Sequence, residues 1–255
     1  MNIFSMKQKV FFRSSDGLRL AGILHFPKKT RNTGVIICHG YTGSKDTNFI
    51  PELGETLEEN GFLTLRFDFS GNGESEGRFE ERTWSHYVKD LKSAIQFLEE
   101  NEDIENICVI GFSMGAAISI IEYNRYHNFD YLILLAPLLS PTDHGFTLKQ
   151  FERLENDGYI EFTDSHGRKR RLSRAYFEDM EEHDIMKYAQ ALDIPVLIII
   201  GDQDNVVGTK NCLILDKRLK SPHKLAILSG ENHVFHNKGE KLSPIILEFL
   251  ETFSP

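Results

Sequence analysis

The sequence has few cysteines, no surplus of positive charge and no long apolar run, and each shortage removes a class of function. Its 255 residues contain three cysteines, Cys38, Cys108 and Cys212, each inside an apolar stretch. An odd set in such surroundings reads as small core residues, not as a disulfide framework or a metal site. Neither H-E-x-x-H nor a paired-cysteine spacing occurs, so no metal is expected. The net charge of -9 makes nucleic acid a poor partner, because a phosphate-binding surface must be basic. The longest apolar stretches, Tyr131 to Leu139 and Pro195 to Ile200, fall short of the roughly 18 residues that cross a bilayer, so no membrane insertion is expected. Met1 to Phe12 lacks the apolar core and small-residue cleavage site of a signal peptide, and a cytoplasmic location is the expectation. Two glycine-rich stretches also fail as phosphate loops. Gly71-Asn72-Gly73 has its third glycine misplaced at Gly77, with Glu74 and Glu76 set to repel a pyrophosphate. Gly43-Ser44-Lys45 lacks the spacing of a phosphate-binding loop.

What the chain does have is alternation. Lys9 to Arg13 and Leu18 to Phe26 flank the turn signal Ser15-Asp16-Gly17 and predict an opening β-hairpin. Val35 to Cys38, Phe62 to Phe67, Ile107 to Ile110, Tyr131 to Ala136, Pro195 to Ile200 and Leu225 to Leu228 are short apolar runs, as expected of strands covered on both faces. Helices are predicted between them. The one over Asn48 to Glu59 closes on Asn60-Gly61, and another carries Trp84, Tyr87, Val88, Leu91, Ala94, Ile95 and Leu98 at helical spacing. Further helices are expected near Thr209 to Leu219 and from Glu240 to Phe253. This is an α/β pattern: a mostly parallel central sheet of about eight strands, antiparallel at one edge, with helices on both faces.

Pro141 to Asp184 breaks the rhythm. Tyr159 to Phe162, the turn Asp164-Ser165-His166-Gly167 and Arg168 to Arg171 read as a small exposed hairpin. Ser173 is placed to cap a short helix with Tyr176, Phe177 and Met180. The segment is too short to bury a core of its own. The expected organisation is therefore one domain, 1–140 with 185–255, carrying an insertion at 141–184. The basic run Arg168 to Arg171 is most simply a solvated strand, with docking of an anionic substrate group as the alternative.

In such sheets, chemistry gathers at the carboxyl ends of the strands. One of these ends is Gly111-Phe112-Ser113-Met114-Gly115, a G-x-S-x-G between a strand and a small-residue helix, the context of a nucleophile elbow. Others are Gly201-Asp202-Gln203-Asp204, Ser229-Gly230-Glu231-Asn232-His233 and His39-Gly40-Tyr41. Together they supply serine, carboxylate and imidazole in the order Ser…Asp…His. A serine hydroxyl needs an imidazole to take its proton, and a carboxylate to fix the tautomer and stabilise the imidazolium. The backbone N–H groups of Met114 and Tyr41 are the candidate oxyanion donors.

These motifs, with Asp68-Phe69-Ser70-Gly71-Asn72-Gly73-Glu74-Ser75 and Asn232-His233-Val234-Phe235, resemble those of serine esterases of the α/β-hydrolase superfamily over essentially the whole chain. The likeness extends to bacterial feruloyl (cinnamoyl) esterases and small carboxylesterases, which insert a cap where 141–184 lies. The resemblance implies the α/β-hydrolase fold and a cofactor-free carboxylic ester hydrolase acting through an acyl-enzyme. It assigns Ser113 as nucleophile, His233 as base in preference to His236, and Asp204 as acid in preference to Asp202, which then stabilises its loop. His39 supports the oxyanion loop, and His25, His86, His127 and His223 carry no chemistry. The implied partner is a small-molecule ester, with a homodimer as one assembly the reading allows. Phe146, Tyr159, Phe162 and Tyr176 of the insertion are candidate substrate contacts, as against simply packing the insertion onto the body. Monoacylglycerol lipase, thioesterase and peptidase activities use the same residues and stay open. So does a non-catalytic ligand-binding role.

Overall fold

A computed structural model describes residues 6–101, 103–140, 146–164, 167–236 and 240–253. The opening hairpin pairs β1 (Met6–Arg13) with β2 (Arg19–Phe26) in antiparallel register, Phe12 facing Leu20. Strand–helix units then follow: β3 (Thr33–Cys38), α1 (Ile50–Glu59), β4 (Leu63–Phe67), α2 (Trp84–Asn101), β5 (Asn106–Phe112), α3 (Met114–Tyr126) and β6 (Tyr131–Leu135). After the segment that follows β6 come β9 (Val196–Gly201), α7 (Lys210–Arg218), β10 (His223–Leu228) and α8 (Leu242–Phe253). The eight strands form one sheet in the order β1-β2-β4-β3-β5-β6-β9-β10.

Only β2 runs against its neighbours. It is antiparallel to both β1 and β4, while the remaining pairs are parallel. The expected antiparallel edge is thus one strand in from the edge, because the hairpin turns β1 back into the common direction. Every residue of β3, β4 and β9 is buried, whereas the edge strands β1 and β10 are largely exposed. Continuous apolar runs therefore mark the central strands, which helices cover on both faces. Cys38, Cys108 and Cys212 are buried and in no disulfide among the described residues, as their apolar settings imply.

The segment between β6 and β9 holds more regular structure than its sequence suggests. Residues 141–145, where the insertion was expected to begin, lie outside the described residues. From Thr147 the chain forms α4 (Leu148–Asp157), a helix absent from the sequence reading. Its signal is a capping box: the Gln150 N–H donates to Thr147 Oγ1 and the Thr147 N–H donates to Gln150 Oε1. Gly158, with φ 78°, ends it in the left-handed conformation. The hairpin is present as a separate two-stranded sheet, β7 (Tyr159–Thr163) against β8 (Lys169–Ser173), with Ser165 and His166 of its turn outside the described residues. α5 (Arg174–Glu181) begins after Ser173, but the Ser173 side chain makes no capping hydrogen bond; the Arg174 N–H donates to the Gly158 carbonyl. A short α6 (Ile185–Gln190) leads back to the sheet.

Candidate active site

Ser113 stands between β5 and α3 with φ 54° and ψ -113°, a region that side chains other than glycine avoid. Neighbouring backbone holds it there. Its N–H donates to the Leu135 carbonyl at 2.9 Å, and its carbonyl accepts from Leu138 and Ala116 at 3.2 and 3.1 Å. The flanking glycines explain themselves by contact. A Cβ on Gly111 would lie 2.5 Å from Ala116 Cα, and one on Gly115 would lie 2.6 Å from the Cys38 carbonyl oxygen. Neither backbone atom has anywhere to go, so strand and helix approach this closely only with hydrogen at both positions.

His233 and Asp204 meet Ser113 from the ends of β10 and β9. The imidazole Nε2 lies 3.0 Å from Ser113 Oγ, and Nδ1 lies 2.8 Å from Asp204 Oδ2. Asp204 Oδ1 accepts the N–H groups of Val206 and Val207 at 2.8 and 3.0 Å. Burial alone would raise this carboxyl. The hydrogen bond and charge of His233, with the Val207 and Val206 N–H groups, outweigh it and hold Asp204 below its ordinary range. An ionised Asp204 can only accept, so Nδ1 carries the proton and Nε2 offers its lone pair to the serine hydroxyl. Such a chain can draw a proton off Ser113 and hold it on the imidazole.

The acid and histidine loops are tied together. The Asp202 N–H donates to the Leu228 carbonyl, the Gln203 N–H to the Glu231 carbonyl, and the Gly230 N–H to Asp202 Oδ1 at 2.8 Å. Asp202 thus bridges two loops and makes no bond to His233. His236 is exposed and bonds to Asn232. Phe235 is buried, edge-on to Phe49 at 5.5 Å and packed on Phe112, so the aromatic residue two after His233 anchors its loop.

His39 braces the loop after β3. Fully buried, it accepts the Phe69 N–H on Nε2 at 3.0 Å, which leaves Nδ1 to donate to the Gly40 carbonyl at 2.8 Å. Burial lowers its pKa, in keeping with a neutral ring. The lysine of Gly43-Ser44-Lys45 is also accounted for. Lys45 is buried, with Nζ 3.1 Å from Asp68 Oδ2 and 2.8 Å from Glu74 Oε2, and Asp68 in turn accepts the backbone N–H groups of Lys45 and Glu74. The Asp68-to-Ser75 motif therefore locks the Tyr41 loop to its neighbour.

Ser113 opens onto a pocket of about 480 Å³, counted with its open mouth, which Tyr41 and Met114 flank. Its walls are apolar side chains, and no carboxylate or cation lines it among the described residues.

A family model for serine aminopeptidases of the S33 type matches residues 29–157, just over half of the chain. The chain belongs to that family of α/β-hydrolases. The match includes the elbow and the Tyr41 loop but stops before Asp204 and His233. Among curated relatives, esterase EstD of Thermotoga maritima is 25% identical over 240 residues, covering 83% of this chain and 56% of that longer protein. The mitochondrial palmitoyl-protein thioesterase ABHD10 of Rattus norvegicus is 23% identical, covering 78% of this chain and 68% of the relative. Among solved structures, Est1E of Butyrivibrio proteoclasticus with bound ferulic acid superposes with a TM-score of 0.84 at 24% identity, over 96% of this chain and 98% of that one. The Pyrococcus furiosus esterase Pf2001 gives 0.75 at 21% identity, over 98% and 92%.

In this hydrolase the four candidate contacts from the insertion separate. Phe146 and Tyr176 line the pocket. Phe162 does not; it stacks on the Tyr41 ring at 5.4 Å and acts from behind. Tyr159 is not in the lining either, because at the start of β7 its ring lies under the Arg171 guanidinium, 4.4 Å away. The rest of the wall comes from Leu138, Met180, Val206 and Val207, which the sequence reading did not assign to substrate. Val206 and Val207 directly follow Asp204, and that adjacency was the available signal. The basic run is neutralised internally: Arg168 and Arg170 pair with the buried carboxylate of Asp164, and Arg171 pairs with Glu161. Three of its four cations are thus committed, which weighs against docking of an anion. No helix among the described residues is long and apolar enough to cross a membrane.

Proposed function

We propose that this hydrolase cleaves carboxylic esters of small, uncharged molecules through an acyl-enzyme, and that it does so in the cytoplasm without a cofactor. Ser113 Oγ attacks the ester carbonyl while His233 Nε2 takes its proton. Asp204 holds the imidazole tautomer and stabilises the imidazolium. The N–H groups of Tyr41 and Met114 receive the oxyanion, and His233 returns the proton to the departing alkoxide. Water then repeats the sequence in reverse and frees the acid. The segment 141–184 acts as a cap that chooses what enters.

The single observation that supports this most is the unbroken hydrogen-bond chain from Asp204 through His233 to Ser113 at the mouth of an apolar pocket. An aminopeptidase activity is less well supported despite the family's description. A free amino terminus calls for a carboxylate in the pocket, and none lines it among the described residues. Thioesters fit the same apolar walls and are the second reading. The test is a p-nitrophenyl ester series from acetate to octanoate, with methyl ferulate and matched acyl thioesters alongside, on wild type and Ser113→Ala. Ester turnover by wild type alone supports the proposal. Thioester turnover without ester turnover moves the assignment to a thioesterase, and ligand binding without turnover of either moves it to a non-catalytic role.

A further inference from the structure

Helix α5 supplies two residues of the pocket wall, Tyr176 and Met180. Between them stands Asp179, which is not in the lining and holds the start of α2 instead. Ser85 is the second residue of α2, so its N–H belongs to the first turn, where the helix itself offers no acceptor. That N–H donates to Asp179 Oδ2 and the Ser85 hydroxyl donates to Asp179 Oδ1, both at 2.6 Å. A carboxylate 94 positions away thus closes a helix end that a local side chain usually caps.

The carboxylate is held in its charged form. Burial alone would raise its pKa, but the side-chain and backbone bonds from Ser85, with a smaller contribution from Thr83, outweigh burial and keep Asp179 below its ordinary range. Negative charge also suits the N-terminal end of a helix. Rings complete the contact. Tyr176 stands against Trp84, the first residue of α2, at 6.5 Å and against Tyr41 at 6.3 Å. Apolar burial of this kind holds α5 down without fixing its direction, whereas two charge-assisted bonds to one residue fix both. Met180 is the next residue and Tyr176 lies one turn back, so both follow wherever Asp179 sets the helix.

We propose that Asp179 is a positioning residue: by gripping Ser85 it sets α5, and with it Met180 and Tyr176, where a long acyl chain makes contact with them. The acyl chain is the part of the substrate that stays bonded to Ser113, and the pocket opens at that residue. An acetyl group is too short to reach α5 and should be indifferent to the grip. The inference rests on the ester-hydrolase reading, with the segment between β6 and β9 covering the site.

The experiment takes p-nitrophenyl octanoate and acetate through Asp179→Ala, Asp179→Asn, Ser85→Ala and the double variant Asp179→Ala/Ser85→Ala. Asp179→Ala should raise KM for octanoate about tenfold, as the fraction of molecules with α5 in place falls, and leave kcat and both acetate constants within about twofold of wild type. Asp179→Asn still accepts the Ser85 N–H and can donate to the Ser85 hydroxyl, so its KM for octanoate should stay within about threefold of wild type. Ser85→Ala keeps the backbone bond and should show a smaller rise of the same kind, which vanishes in the Asp179→Ala background. An octanoate-to-acetate ratio of kcat/KM that does not move in Asp179→Ala overturns the proposal. So do equal losses on both esters, an Asp179→Asn variant as impaired as Asp179→Ala, or effects of the two alanine substitutions that simply add. Should circular dichroism show Asp179→Ala unfolded, Ser85→Ala decides alone: a fallen ratio supports the proposal and an unchanged one overturns it. Loss of the ester-hydrolase reading looks different: wild type turns over neither ester, or Ser113→Ala turns them over as wild type does, and the proposal falls with it.

Discussion

Ser113 sits in a backbone conformation that costs of order 1–3 kcal/mol and persists because β6, α3 and the Leu138 N–H clamp it. The strain lifts the hydroxyl clear of the sheet toward His233. Removing that hydroxyl alone, in Ser113→Ala, is expected to lower ester hydrolysis by about 10⁴-fold or more while leaving the thermal midpoint near that of wild type. The two candidate acids should respond very differently. Asp204→Asn removes the charge that orients and stabilises His233, so kcat should fall about 10³- to 10⁴-fold. Asp202→Asn keeps an oxygen for the Gly230 N–H and should cost only a few-fold; equal losses at both positions would mean that Asp202 also acts on the histidine. Gly115→Ala tests the elbow itself. Its new Cβ meets the Cys38 and His39 carbonyl oxygens at 2.6 and 2.7 Å, so denaturant titration should show a loss of about 1–3 kcal/mol.

Among the elements, those that surround Ser113 and Asp204 were legible in the sequence because each had one dominant signal. Apolar runs marked β3, β5 and β9, the G-x-S-x-G marked the turn into α3, and Trp84 to Leu98 gave α2 its amphipathic face. The segment between β6 and β9 was harder to read because it is held by its neighbours. Helix α4 depends on the Thr147–Gln150 box and on Gly158, short cues that a search for long apolar periodicity passes over. Its hairpin stands on Tyr41 and Phe79 of the main body, contacts between residues more than 80 positions apart in the chain. The pocket wall has the same character. Leu138 follows β6, Met180 belongs to α5 and Val206 follows β9, and only folding brings them together. If α5 limits the length of the group that enters, Met180→Trp should cut kcat/KM for the octanoyl ester at least about tenfold relative to the acetyl ester. An unchanged chain-length profile would take α5 out of substrate selection.

At the scale of the whole molecule, one buried histidine outside the site works against the fold in acid. His25, on β2, is fully buried and accepts the Arg66 Nε–H on Nε2 at 3.0 Å, so its proton is on Nδ1, facing Glu58. Burial, then the charge of Arg66, lower its pKa from 6.5 to about 4. Above about pH 6.5 it is neutral in both folded and unfolded chains and contributes nothing. As pH falls from there through about 4, the unfolded chain takes up a proton that the folded chain refuses, and stability drops by roughly 3 kcal/mol in all. Asp90, raised to about 6, and Glu122, raised to about 7, work in the opposite sense, because burial makes the folded chain the better proton acceptor at both. The His25 contribution is therefore read as a difference. From pH 6.5 down to 4, the stability of His25→Gln relative to wild type should rise by roughly 3 kcal/mol, and parallel curves would show that His25 plays no part in the acid response.

The measurement closest to the central claim is to trap the acyl-enzyme. Wild type mixed with p-nitrophenyl butanoate and quenched in acid within the first turnovers should yield one peptide heavier by a butanoyl group, with the added mass on Ser113 and none in Ser113→Ala. Turnover that leaves no acyl group on Ser113, or leaves it equally in the alanine variant on another residue, would contradict a covalent route through this serine.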